Sequence, residues 1–229
     1  MSSATQRTLP NAITIARLVG AAGFFAVLAL ALSPTDATDR QAWGNVAVAL
    51  FAVSAASDAL DGYLARRWGV VTDFGRIMDP FVDKVLVLGA FVYLASPKFA
   101  EPSWSLSWEI PAPHASINCA TGVASWMVVV MLARELFVTS MRSVLEARGV
   151  AFGADLTGKI KMVAQSVLIP VVLFVSVNRW ALASEDWRTI QAIAVWAMVL
   201  ITVGSAVPYV IRGSRLLKQI AGESNRGVG

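Results

Sequence analysis

Four aspartates, Asp58, Asp61, Asp79 and Asp83, have a spacing that points to chemistry. Residues three or four apart share one face of a helix, so Asp58 pairs with Asp61, and Asp79 with Asp83. The polar stretch 66–75 between the pairs is short enough for a tight connection. Two consecutive helices would then bring four carboxylates to one depth. Carboxylates this close repel one another, and in a membrane each costs about 2.5–3.5 kcal/mol at a helix centre. Only Arg66, Arg67, Arg76 and Lys84 lie nearby in sequence to offset that cost. A hard divalent cation offsets it better, because magnesium and manganese take a few carboxylates together with the phosphates of a substrate. The chemistry to look for is a divalent-cation site that also takes substrate phosphates.

Each aspartate also has a plain structural reading. Asp79 precedes Pro80, the arrangement of an N-cap followed by a first-turn proline. Asp61-Gly62 reads alone as a turn that ends a helix. A single intramembrane aspartate serves equally in a transporter's proton relay. The full set, with Gly62, Arg66 and Gly75 fixed among the carboxylates, favours a site over these alternatives.

The elements that position the set are membrane helices. The 229 residues are 56% hydrophobic and only 15% charged, with a mean hydropathy of +0.63; a soluble domain carries about 25% charge. A span needs about 20 apolar residues, and the sequence predicts six, near 12–32, 43–60, 80–95, 122–141, 160–177 and 189–211. The first is too long for a signal-peptide core and reads as a span. The expected fold is a single all-α domain over 1–229, a six-helix polytopic bundle. Arg7, Arg66, Arg67, Arg76, Arg142, Arg148, Lys159, Lys161, Arg212, Arg215, Lys218 and Arg226 fall on the N-terminal side of these spans. The other side holds only Arg40, Lys98, Arg179 and Arg188, so both termini are expected in the cytoplasm. Trp43, Trp104, Trp108, Trp180 and Trp187 gather on the opposite side, as interfacial anchors do. The net charge of +4 is small and dispersed; it fits anionic lipid and not nucleic acid. Cys119 is the only cysteine, which excludes an internal disulfide and a thiolate zinc site. His114, the only histidine, lies in a Pro-rich loop and reads as solvated.

The aspartate segment resembles the signature of the CDP-alcohol phosphatidyltransferases, D-x2-D-G-x2-A-R-x8-G-x3-D-x3-D. It is carried here by Asp58, Asp61, Gly62, Ala65, Arg66, Gly75, Asp79 and Asp83 without departure. The resemblance implies a six-span enzyme acting on a CDP-linked lipid, CDP-diacylglycerol. It further implies that Asp58, Asp61 and Asp79 are ligands of two magnesium ions, with manganese a possible substitute, and that Asp83 is both a ligand and the proton acceptor. Gly62, Arg66 and Thr72 match positions that contact the CDP moiety, and Asn11 and Thr14 match where the first helix approaches the CDP-lipid. Gly62 permits close backbone approach, and Arg66 offers a planar fork to phosphate. Asn11 alone reads equally well as an N-cap. A homodimer in the bacterial inner or plasma membrane is also implied.

Arg134 lies inside the fourth predicted span beside Glu135, too deep for ordinary positive-inside charge, and an intramembrane arginine needs a partner or a polar cavity. With Arg142 and Lys159 it forms a candidate site for an acceptor that itself carries phosphate. Arg148 and Lys161 read as positive-inside charge. The opening run from Leu9 to Arg17, Ala133-Arg134-Glu135 with Arg142, and Thr157-Gly158-Lys159-Ile160-Lys161 are similar to the phosphatidylglycerophosphate synthase branch of the family. That similarity implies glycerol 3-phosphate as the acceptor. Inositol phosphate, serine or phosphatidylglycerol are the alternatives with the same chemistry, and an ion- or proton-coupled transporter is the alternative of a different class.

Overall fold

The computed structural model describes residues 3–32, 37–68, 73–96, 121–147, 156–211 and 213–216. Side chains are described over 14–32, 38–57, 78–96, 121–147, 156–211 and 213–216. Every regular element among these residues is helical. The elements are α1 (Ser3–Ala31), α2 (Ala37–Trp68), α3 (Asp73–Leu94), α4 (Ser125–Ala147), α5 (Leu156–Val177), the short α6 (Arg179–Ala183) and α7 (Glu185–Gly204). Further helical turns follow over 207–211 and 213–216.

Three helical stretches among the described residues are long and apolar enough to cross a membrane: Thr14–Ala31, Leu156–Val177 and Glu185–Leu216. Helices α2, α3 and α4 have 32, 22 and 23 residues, so length does not set them apart. Helices α3 and α4 carry charge inside the helix instead, Asp79, Asp83 and Lys84 on α3 and Arg134 and Glu135 on α4.

The helices run past the predicted windows, and this removes three of the plain readings. Helix α3 begins at Asp73, which places Asp79 in the helix interior and Pro80 within the helix, so Asp79 is not an N-cap. Proline is tolerated in such helices because surrounding groups re-satisfy the freed carbonyl. Helix α2 continues through Asp61-Gly62 to Trp68, so that pair does not end it. Helix α1 starts at Ser3, which puts Asn11 well inside a helix.

Helix α1 packs along α2 and also against α3, while α5 joins α2 to α7. Phe24, Phe51 and Phe91 are fully buried in the core between them. The Phe24 ring meets Phe51 edge-on at 5.4 Å, and Phe25 stacks on Tyr93 at 5.7 Å. Gly89 lies beneath Phe25 so closely that a Cβ there would fall 2.3 Å from Cζ; α1 and α3 approach as they do because position 89 has no side chain. At one end of the bundle, Asn178 and Asn45 exchange side-chain amide hydrogen bonds of 2.8 and 3.3 Å, and Gln41 donates to Asn178 Oδ1 at 2.9 Å. These bonds fix the register of α2 against the end of α5. Outside the bundle, Val19, Val53, Val92, Val129, Leu136, Val163, Ile193 and Leu200 are all more than half exposed. In water this apolar surface would drive aggregation; against lipid it is the ordinary exterior of a membrane bundle.

Candidate functional site

Helix α1 brings Thr14 and Arg17, one turn apart and both buried, against α3. Thr14 Oγ1 donates to Asp79 Oδ1 at 3.0 Å, and Arg17 Nη1 lies 3.1 Å from the same oxygen. The Asp79 side chain is 46% exposed, so this carboxylate is braced on one side and open on another. Thr14, expected to approach the CDP-lipid, directs its hydroxyl proton to Asp79. Arg17, which the sequence shows only as the end of the opening run, is a cation that compensates Asp79. The signal was present, since an arginine in an apolar run needs a partner just as Arg134 does. Lys84, counted there among the offsetting cations, points elsewhere: its Nζ donates to Thr139 Oγ1 of α4 at 2.6 Å.

One turn along α3 from Asp79, Asp83 lines a cleft between α1, α2, α3 and α5. Its polar walls are Arg17, Ser54, Asp83 and Ser166, and its apolar walls include Phe51, Val82 and Leu86. Ser54 is the informative wall. Positions 54, 58 and 61 are four and then three residues apart, so they form one stripe of α2, and its Ser54 end borders the cleft. Positions 79 and 83 form the corresponding stripe of α3. The two pairs of signature positions therefore continue from two walls of a single cleft. The side chains of Asn11, Asp58, Asp61, Gly62 and Arg66, and residue Thr72 altogether, lie outside those described. Among the described residues no three His, Cys, Asp or Glu side chains come together as a metal site. The donor set is nonetheless of the hard oxygen type that magnesium and manganese take. Asp79 keeps an exposed side and Asp83 lines the cleft, so the oxygen donors present fit such an ion.

A second cluster of charge joins α4 to α5. Glu135 Oε1 accepts from Arg134 Nη1 at 2.9 Å and is ion-paired with Lys161 Nζ. All three residues are at least nine-tenths buried. The Asp83 carboxylate lies close enough to act on the Lys161 ammonium electrostatically, which links this cluster to the cleft. The Arg134 guanidinium lies 5.6 Å from the centre of the Tyr209 ring. Among the described residues, Arg134 Nε and Nη2 and Arg142 Nε are buried donors with no hydrogen-bond partner. Lys159 is exposed, whereas Lys161 is buried and paired, so Lys161 is not the surface charge its sequence context implies. The two lysines are two residues apart and thus point to nearly opposite sides of α5.

The family model for CDP-alcohol phosphatidyltransferase matches residues 7–204 of the chain. A relative from Bacillus subtilis (strain 168), named CDP-diacylglycerol–glycerol-3-phosphate 3-phosphatidyltransferase, is 30% identical over 223 residues, covering 92% of this chain and 97% of its own. One of the same name from Escherichia coli (strain K12) is 30% identical over 172 residues, 74% of this chain and 78% of its own. A cardiolipin synthase (CMP-forming) from Streptomyces coelicolor is 32% identical over 143 residues, covering 62% of this chain and 53% of its own.

Proposed function

Because the chain belongs to the CDP-alcohol phosphatidyltransferase family, we propose that it moves the phosphatidyl group of CDP-diacylglycerol onto glycerol 3-phosphate, giving phosphatidylglycerophosphate and CMP. The observation that carries this reading is the cleft that Asp83 of α3 and Ser54 of α2 line together, with the remaining signature positions lying further along each helix stripe. In this reading α1 to α5 and the Glu185–Leu216 stretch are six spans of an inner or plasma membrane enzyme. Both termini face the cytoplasm, as the distribution of basic residues supports, and the working unit is a homodimer.

Asp58, Asp61, Asp79 and Asp83 would hold the divalent ions, two magnesium with manganese as a substitute, which when bound neutralise charge on the pyrophosphate and on the departing CMP. Thr14 and Arg17 hold the Asp79 carboxylate in place from α1. Asn11, Gly62, Arg66 and Thr72 receive the CDP moiety, and Thr14 acts on it through Asp79. The acyl chains stay in lipid. Arg134, Arg142 and Lys159 take the phosphate of the acceptor and leave its primary hydroxyl at the cleft. Asp83 accepts the proton from that hydroxyl as its oxygen bonds to the lipid-linked phosphorus and the bond to CMP breaks. A carboxylate is a weak base for an alcohol, so alignment supplies most of the acceleration.

The acceptor is tested directly. Purified protein given labelled CDP-diacylglycerol with glycerol 3-phosphate, inositol phosphate, serine or phosphatidylglycerol in turn is expected to release CMP fastest with glycerol 3-phosphate. Faster release with phosphatidylglycerol would make it a cardiolipin synthase, the second reading that the Streptomyces coelicolor relative favours over a smaller share of both chains. Ion flux in liposomes with no CMP from any acceptor would remove the enzymatic reading.

A further inference from the structure

The charge cluster on α4 has one wall that the acceptor residues do not account for, and it comes from the far end of the chain. Tyr209 ends a buried stripe, Val195, Met198, Thr202, Ser205 and Tyr209, that runs down α7 and its extension at alternating three- and four-residue steps. It is 3% exposed and packs with Val138, Leu145, Met141 and Leu216. Its ring faces the Arg134 guanidinium at 5.6 Å. Its hydroxyl sits over Gly158, where an added Cβ would be 2.9 Å from the oxygen.

These contacts divide the guanidinium in a particular way. Nη1 is taken by Glu135, and Tyr209 lies against the group at cation–π range. The two donors left without a partner among the described residues, Nε and Nη2, lie on one edge of the planar group and point in parallel. That edge is the fork that matches two oxygens of a phosphate. Buried donors in this state are costly to leave unmet, and Arg134 is only 9% exposed.

We infer that Tyr209 is a positioning residue for the acceptor: with Glu135 it locks the Arg134 guanidinium so that its Nε–Nη2 edge receives the acceptor's phosphomonoester, and Gly158 is small because the Tyr209 hydroxyl occupies that space. The inference rests on the acceptor site proposed above and adds the segment after α7 to it.

Steady-state CMP release separates this role from a merely structural one. Tyr209→Leu is expected to raise KM for glycerol 3-phosphate about tenfold to thirtyfold, the range of a desolvated cation–π contact. KM for CDP-diacylglycerol should stay close to the parent's. Tyr209→Phe, which keeps the ring, should behave as the parent does. Gly158→Ala should raise the same KM by displacing the hydroxyl, and adding Tyr209→Phe to Gly158→Ala should restore it. An unchanged acceptor KM in Tyr209→Leu, an equal rise for both substrates, or no restoration in the double variant would overturn the assignment. Should Tyr209→Leu not fold, the Gly158→Ala pair decides alone. Parent protein that releases no CMP with glycerol 3-phosphate overturns the proposed acceptor instead, so the two failures are distinct.

Discussion

Asp83→Asn protein is expected to fold as the parent does and to release CMP about a hundredfold to ten-thousandfold more slowly, the usual range for loss of a general base. The substitution keeps the size and planarity of the side chain, so the cleft walls at Arg17, Ser54 and Ser166 should keep their spacing. What it removes is the oxygen proposed to take the acceptor's proton and a negative charge that acts on Lys161. Single-turnover CMP release in detergent, alongside a thermal unfolding curve, checks both halves. Near-parental release from folded Asp83→Asn would show that another group accepts the proton.

Glu135→Ala is the second large effect, and it falls on folding. Glu135 Oε1 is shared between two buried cations, accepting from Arg134 and ion-pairing with Lys161. Its removal leaves two like charges in a low-dielectric interior, with the Asp83 carboxylate still acting on Lys161. Breaking a buried pair in this way costs about 3–5 kcal/mol, against a whole-protein stability of about 5–15 kcal/mol. A large drop in thermal midpoint and in yield of membrane-inserted protein is expected. Glu135→Ala combined with Lys161→Met, which removes the stranded ammonium, should recover part of the loss. A Glu135→Ala midpoint equal to the parent's would mean that the cations are solvated and the cluster contributes nothing to stability.

The residues legible in sequence were those whose spacing along one helix carries the information. Asp79 and Asp83 share a face because they are four apart, and the structure brings the upper member of that pair to the cleft. Arg134 was legible as a buried cation because an apolar run surrounds it. Which neighbouring helix meets a given face is not written in the period. Arg17 bracing Asp79 joins positions 62 residues apart, and Glu135 binding Lys161 joins positions on separate helices. Nothing local announces either contact. Lys159 and Lys161 show the limit most clearly. A separation of two residues establishes that only one of them faces the bundle, and only the packing of α5 on its neighbours decides that it is Lys161. The helix ends were misplaced for a related reason. A hydropathy window closes where charge begins, yet α2 and α3 continue as helices through their charged ends. Those ends are the part of each helix that carries the signature.

The proposed site requires the stripes of α2 and α3 to present their carboxylates to shared divalent ions. Manganese titration of the purified protein, followed by the EPR signal of the free ion, measures this without reference to turnover. The parent should take up manganese in a manner that magnesium competes away, and Asp58→Asn, Asp61→Asn, Asp79→Asn and Asp83→Asn should each weaken that uptake. Manganese binding that is absent from the parent in the presence of CDP-diacylglycerol, or that survives all four substitutions unchanged, would contradict the account.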